Sequence, residues 1–280
     1  MTYSLLMRVL AGLGINVLFA LGAYRSSSVT RGGAVAGLAV GVTLFAAGGF
    51  LFWMPMAGFF LSSTLLSRYK ERHKADAAML HEKHAVRDAL QVLANGAPGA
   101  FWGLLYLFFP VPEVTIGAAA SFGAANADTW AGEVGMLSHR RPLLIIDGKP
   151  VERGRSGGIT PLGLGASLGG ALFIAVLFLL LALFHPLFFP GVSAAELCLF
   201  AAIAAAGGFL GSLIDSVLGA TLQVQYTDYR TGAFTERPVS PEGPNTRARG
   251  LPFINNDAVN FISFLLAGAV SVGILILARG

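Results

Sequence analysis

Apolar residues gather in runs near 4–24, 33–49, 50–66, 90–110, 115–127, 161–189, 194–218 and 258–278. A helix needs about 20 residues to cross the hydrocarbon core of a bilayer. Lipid offers no partner to backbone N–H and C=O groups, so spanning segments must satisfy them internally. The pattern predicts an all-α polytopic membrane protein of about eight transmembrane helices. The run at 115–127 is too short for an ordinary crossing, and its Gly and Ala content lets other backbones approach closely. A short or broken helix buried in protein is expected there. With 55% of 280 residues hydrophobic and 12% charged, the chain has too little polar surface for a water-soluble fold. It reads as a single integral membrane domain over 1–280, embedded in a lipid bilayer.

Basic residues sort the connections. Arg25 and Arg31 lie in the first, Arg68, Lys70, Arg72, Lys74, Lys83 and Arg87 in the third, Arg140, Arg141, Lys149, Arg153 and Arg155 in the fifth, and Arg230, Arg237, Arg247 and Arg249 in the seventh. The even connections carry no Lys or Arg, so the positive-inside rule places the basic loops in the cytoplasm and both termini outside. The excess of 19 basic over 15 acidic residues is thus a topology signal, and nucleic acid is not an expected partner. The first apolar run lacks a basic n-region and a small-residue cleavage site, which suits an uncleaved span in a multi-pass protein, of the plasma membrane if the source is prokaryotic. One cysteine, Cys198, excludes an intrachain disulfide and a Cys-built zinc site.

Cytoplasmic segments are expected near 67–89, 128–160 and 220–254. The first mixes charges without Pro or Gly and reads as a solvated helix. The second carries Asp147-Gly148 between short apolar stretches, the signature of a small cytoplasmic β-hairpin. The third, rich in Pro, Gly, Thr and Arg, reads as a mobile loop or lid.

Several motifs lack the context they need. Gly154-Arg-Ser156-Gly-Gly158 has the spacing of a nucleophile elbow but follows Pro-Val-Glu-Arg rather than a buried strand, so it reads as a turn. The phosphate-loop pattern ending in Gly-Lys-Ser/Thr is absent, and no two histidines stand at metal-ligand spacing on an evident face. Glu113 and Glu196 read as interface charges. What remains is a set of acids and amides beside apolar segments: Asn126, Asp128 and Glu133; Asp215; and Asn256, Asp257 and Asn260, with Asn95 earlier. Ionisable groups there are costly, roughly 2.5–3.5 kcal/mol each, and mark function more often than packing. Interhelical hydrogen bonding is the plainer account of the amides. Aspartates at separate helix ends suit a hard divalent cation, Mg2+ before a transition metal. On the same side, Ser62, Ser63 and Thr64 with Arg68 and Lys70 put hydroxyls and cations where a polyphosphate could be held.

Five blocks in order carry a resemblance: Ser62-Ser-Thr-Leu-Leu-Ser-Arg-Tyr-Lys70, Arg87-Asp-Ala-Leu-Gln-Val-Leu-Ala-Asn-Gly96, Ala125-Asn-Ala-Asp-Thr-Trp-Ala-Gly-Glu-Val-Gly135, Gly211-Ser-Leu-Ile-Asp215 through Gln223, and Asn256-Asp-Ala-Val-Asn-Phe261. Together they resemble the membrane family that includes plant phytyl-phosphate kinase and transmembrane protein 19. That family is more distantly similar to CDP-diacylglycerol synthases, dolichol kinases and phytol kinases. Their Asp-Thr-x-Ala-x-x-x-Gly element is similar to 128–135, whereas the final Lys-Arg of their later element has no counterpart after Asp215.

The resemblance implies Mg2+-dependent phosphoryl transfer from a nucleoside triphosphate, CTP foremost, to an isoprenoid monophosphate such as phytyl or geranylgeranyl phosphate. Under it, Asp128 and Asp215 become the principal metal ligands, helped by Asn126 and Asp257. Asn95, Gln223, Asn256 and Asn260 orient phosphates, Lys70, Arg68 and Arg87 neutralise them, and Ser62 and Ser63 donate to them. Two alternatives stay open: a cytidylyltransferase making a CDP-linked lipid, and a non-enzymatic ion-coupled transporter or lipid flippase. Homo-oligomerisation is also left open.

Overall fold

Most helices begin where the sequence supplies an acceptor for otherwise unpaired N–H groups. In the computed structural model, which describes residues 4–69, 86–241 and 243–279, α1 (Leu5–Arg25) is capped by Ser4 and α2 (Arg31–Gly48) by Thr30. Gly49, at φ +59°, is a one-residue link into α3 (Phe50–Arg68). Asp88 and Gln91 form a capping box for α4 (Ala89–Phe108), and α5 (Pro112–Gly135) starts on a proline that lacks the N–H a first turn cannot use. Thr160 caps α6 (Pro161–Phe184), and a second capping box, Ser193 with Glu196, opens α7 (Ala194–Thr221). The last helix is α8 (Asn256–Arg279).

Eight α-helices are thus present among the described residues, as the apolar runs predict. Six of them, α1, α2, α3, α6, α7 and α8, are long and apolar enough to cross a membrane. The expectation of a short or broken fifth helix is overturned, because α5 runs unbroken for 24 residues. It takes in the polar residues 128–135 that ended the apolar run, and every residue from Val114 to Ala127 is buried. Packed against α3, α4, α6, α7 and α8, α5 is the central post of the bundle. Its surroundings are protein, so its residues need to be small more than greasy. Gly123 on α5 and Gly208 on α7 meet backbone to backbone, where a Cβ on Gly208 would lie 2.9 Å from the Gly123 carbonyl carbon.

By contrast α1 is peripheral. It buries only Gly12, Asn16 and Ala23 and exposes Leu6, Leu10 and Leu18, as a lipid-facing helix does. Asn16 docks it: its amide donates to the Gly12 carbonyl (2.8 Å) and accepts from Trp53 Nε1 on α3 (2.8 Å). Gly41 of α2 lies flat against that amide.

The basic connections gather at one end of the bundle. There Thr30 and Ser28 exchange backbone hydrogen bonds with Arg87. At the opposite end Arg279 pairs with Glu113 and Glu196, joining α5, α7 and α8. The helix expected over 67–89 lies mostly outside the described residues: 67 and 68 end α3 and 89 opens α4. Lys70 is outside them as well.

The hairpin around Asp147-Gly148 forms, with Gly148 at φ +68° and its N–H on the Leu144 carbonyl. Its first strand, β1 (Leu143–Leu144), also pairs antiparallel with β2 (Gly158–Ile159). The segment read as a mobile loop or lid carries five short strands among its described residues. β3 (Gln225–Thr227) lies between β4 (Phe234–Thr235) and β7 (Thr246–Arg249), and β5 (Val239–Ser240) pairs with β6 (Gly243–Pro244). Its glycines serve turns, as at Gly232 (φ +68°), rather than general looseness. Arg249 locks this sheet to the bundle by donating to the Ala220 carbonyl at the end of α7 and to Gln225 Oε1 (2.8 Å), a cation where the helix dipole favours one. Burial, followed by the nearby charge of Arg155, lowers its pKa.

Candidate functional site

Residues two apart on a helix point about 200° apart, and on α5 this separates Asn126 from Asp128. Asn126 faces α3 and α6, accepting from the Ser62 hydroxyl (2.8 Å) and donating to the Gly170 carbonyl (2.8 Å). Glu133, seven residues on and hence on nearly the same face, accepts from Ser67 of α3. Asp128 points the other way, into a cavity of ≈ 190 Å³ between α5, α6 and α7, at the end where the basic connections lie.

Across that cavity stands Asp215, buried on the penultimate turn of α7, near enough to Asp128 and Glu236 for their charges to interact. The Asn260 amide, oriented so that its NH2 meets acceptors, donates to Asp215 Oδ2 (3.0 Å) and to the Asn256 carbonyl (3.1 Å). Asn256 itself lines the cavity. Three segments the sequence places far apart, 128, 215 and 256–260, therefore converge as expected.

The structure corrects other assignments. Asn126 has both ends of its amide engaged in packing, so it is not a ligand beside Asp128. Asp257 is buried in the first turn of α8 and is not on the cavity wall. Gln223 does reach the wall, but its NH2 donates to Glu236 Oε1 (2.7 Å), making it a strut between α7 and the sheet. Asn95 lies on α4, bonded back to the Gln91 carbonyl (2.7 Å), beside a separate apolar crevice among α1 to α4.

Ser62, Ser63, Arg68 and Arg87 likewise bond to neighbouring protein groups and do not line the carboxylate cavity. Arg87 donates to Thr64 Oγ1 and Ser63 Oγ, both at 3.0 Å, and lies over the Phe60 ring. Burial lowers the Arg87 pKa, and the charge of Glu133 opposes that shift. Arg68 donates to Ser28 Oγ (3.0 Å) and to the Ser26 carbonyl. These cations clamp α3 to its neighbours because their hydrogen bonds go to protein groups.

Among the described residues, the cations on the carboxylate cavity are Arg153 and Arg155, read from the sequence only as topology signals; Ser156, read as part of a turn, lines it too, with Ser167 and Glu236, which the sequence did not single out. Gly154 (φ +84°) and Gly157 (φ +81°) turn this loop, and Gly157 touches Ala220 and the Ser216 carbonyl of α7, where a Cβ would meet them at 2.5–2.8 Å. The available signal was the Gly-Arg-Ser-Gly-Gly string itself, two basic loop residues among glycines.

Among the described residues, no three His, Cys, Asp or Glu side chains form a metal-binding group; of the four expected ligands, Asp128 and Asp215 line the cavity and Asn126 and Asp257 do not. Mg2+ commonly takes one or two carboxylates and completes its shell with water and phosphate oxygens, and that donor chemistry fits this pair.

Fold and cavity together define a polytopic helical membrane protein with a buried acidic site at one end of its bundle. The chain belongs to the integral membrane protein family DUF92, which it matches over residues 14–268. It is 30% identical to Protein PGR of Arabidopsis thaliana over 275 residues, covering 92% of this chain and 93% of that protein. It is 28% identical to the uncharacterized membrane protein MJ0933 of Methanocaldococcus jannaschii, covering 97% and 96%, and 26% identical to the uncharacterized membrane protein sll0875 of Synechocystis, covering 84% and 78%. No solved structure matches.

Proposed function

We propose that the chain transfers the terminal phosphoryl group of a nucleoside triphosphate, CTP foremost, to an isoprenoid monophosphate in the bilayer. The observation that carries this reading is Asp128 and Asp215 meeting across a cavity whose remaining wall supplies Arg153 and Arg155. Carboxylates and guanidinium groups facing one space suit a cation and phosphates held together. The five-block resemblance supplies the substrate class.

An oxygen of the acceptor monophosphate forms the new bond to the terminal phosphorus. The bond from that phosphorus to the bridging oxygen breaks, and a nucleoside diphosphate leaves. The acceptor has a second pKa of about 6 and is largely dianionic near neutrality, so little general-base help is needed. Catalysis is then mostly positioning and charge neutralisation. Asp128 and Asp215 would hold Mg2+, whose contribution when bound would be to offset phosphate charge. Asn260 fixes the Asp215 carboxylate, and the Gln223–Glu236–Ser156 hydrogen bonds hold the basic loop against α7. In this reading the basic loops face the cytoplasm, of the plasma membrane in a prokaryote, and the prenyl chain enters sideways from lipid.

The test incubates detergent-purified protein with Mg2+, phytyl or geranylgeranyl phosphate and each nucleoside triphosphate, identifying products by mass spectrometry. Prenyl diphosphate with nucleoside diphosphate is expected, lost about 100-fold or more in Asp128→Asn and Asp215→Asn. A CDP-lipid with pyrophosphate would replace the kinase by a cytidylyltransferase. No turnover with any pair would overturn the enzyme and leave a carrier.

A further inference from the structure

Two buried donors on the cavity wall have no partner among the described residues: Arg155 Nε and Ser167 Oγ. Buried polar groups in folded proteins are nearly always hydrogen-bonded, so an orphan calls for a reason. Ser167, on the second turn of α6, is only 1% exposed, so bulk solvent does not serve it. Arg155, also on the cavity wall, lies over the Phe234 ring with its Cζ 4.2 Å from the centroid, which restrains the guanidinium.

The backbone between them adds to the pattern. The Gly158 N–H closes onto the Arg155 carbonyl (3.0 Å) and the Gly157 carbonyl is taken by the Ile145 N–H (3.0 Å). Among the described residues, the N–H groups of Ser156 and Gly157 donate to no protein group. The Ser156 hydroxyl is spent on Glu236 (2.6 Å), so Arg155 and Ser167 are the wall side chains left with unpaired donors. Successive N–H groups on a glycine turn make an anion-binding concavity, here next to a guanidinium suited to bidentate phosphate recognition.

We propose that the 153–158 loop, with Arg155 and Ser167, is a phosphate-binding subsite facing Asp128 and Asp215. This rests on the phosphoryl-transfer reading for its biological ligand, but not for its chemistry. Phosphate is common to the donor's polyphosphate and the acceptor's monophosphate, and the substrate whose handling depends on Arg155 occupies the loop.

The probe is inorganic pyrophosphate, titrated calorimetrically with Mg2+ onto the detergent-purified full chain, wild type against R155A, R155K and S167A. Arg155→Ala is expected to weaken binding at least about tenfold, Arg155→Lys to recover part of it through charge without the bidentate fork, and Ser167→Ala to weaken it severalfold. Thermal unfolding should stay within a few degrees. Should R155A not fold, R155K and S167A carry the comparison. Steady-state KM values then distinguish sources: a rise for the nucleotide alone places the donor on the loop, and a rise for the prenyl phosphate alone places the acceptor. Wild type that binds pyrophosphate no better than folded R155A, or than S167A and R155K if R155A does not fold, overturns the subsite. Pyrophosphate binding that depends on Arg155 without turnover of any substrate pair upholds it and removes the kinase reading instead.

Discussion

Replacing Gly208 by Ala tests whether the approach of α5 to α7 sets the geometry of the carboxylate cavity. The added Cβ would lie 2.9 Å from the carbonyl carbon and 3.1 Å from the Cα of Gly123. Carbon atoms in ordinary contact sit about 3.5–4.0 Å apart, so the helices must part locally by roughly 0.5–1 Å. Both obstructing atoms are backbone, and no rotamer change can relieve them. Overpacking of this kind costs about 1–3 kcal/mol. Asp128 follows Gly123, and Asp215 follows Gly208, by roughly one to two turns, so a splayed contact moves the two carboxylates relative to each other. A displacement near 1 Å in a positioning site costs on the order of 100-fold, and kcat should fall about 10- to 100-fold. The control is Gly273→Ala on α8, whose Cβ would meet nothing within 4 Å. Removing that glycine from a helix interior should stabilise by roughly 0.5–1 kcal/mol. Thermal unfolding followed by tryptophan fluorescence, together with prenyl diphosphate formation, reads both effects. A Gly208→Ala protein as stable and active as wild type would refute the reasoning, as would equal damage from Gly273→Ala.

Arg87→Ala removes a charged donor from Ser63 and Thr64 and should destabilise by about 2–4 kcal/mol, measured by thermal unfolding; wild-type stability would show that the clamp is idle. Asn16→Ala strands the Trp53 N–H at about 1–3 kcal/mol, and adding Trp53→Phe should recover part of the loss; strict additivity would deny the coupling. Hydrogen bonds from Ser240, then from Thr231 and Arg230, depress the Asp228 pKa to about 2. A depressed carboxylate contributes stability that is fully present above its unfolded pKa of about 3.9 and lost as pH falls through the folded value. The 228–245 turns should therefore resist pepsin near pH 4 and yield progressively as pH falls through 3 toward 2. Asp228→Asn should already be cut near pH 4, and identical cleavage profiles would contradict that role.

Much of the bundle is legible in the chain because its causes are local. Apolar runs give helices that need no outside hydrogen-bond partner. The capping boxes escape that reading: Glu196 looks like an interface charge, whereas it closes a box with Ser193 at the start of α7. The same local reading misjudged α5, since hydropathy reports affinity for lipid, and a helix packed on five others buries 114–127 in protein. Nor did it find the short strands in 223–252, which are too brief to show a period and form only by pairing with one another. In the site, Asp128, Asp215 and Asn260 stood out as costly polar groups beside apolar segments, and they do converge.

Their partners did not stand out, for a geometric reason. Asn126 and Asp128 are two residues apart in sequence and nearly opposite around α5; only the packing of small residues against α3, α6 and α7 decides which one faces the cavity. Ser62, Ser63 and Arg87 look like a phosphate cradle when read in line, yet across space Ser62 bonds Asn126 of α5 and Arg87 bonds Ser63 and Thr64 of α3. Arg155 and Ser167 look like part of a turn and a packing residue, yet α7 docking on Gly157 brings their loop and helix to the carboxylates. Sequence determined the helices and the chemistry they carry, because backbone satisfaction and the cost of buried charge are local. Tertiary structure decided which chemistry shares a cavity, because that depends on helix rotation and close approach between segments distant in the chain.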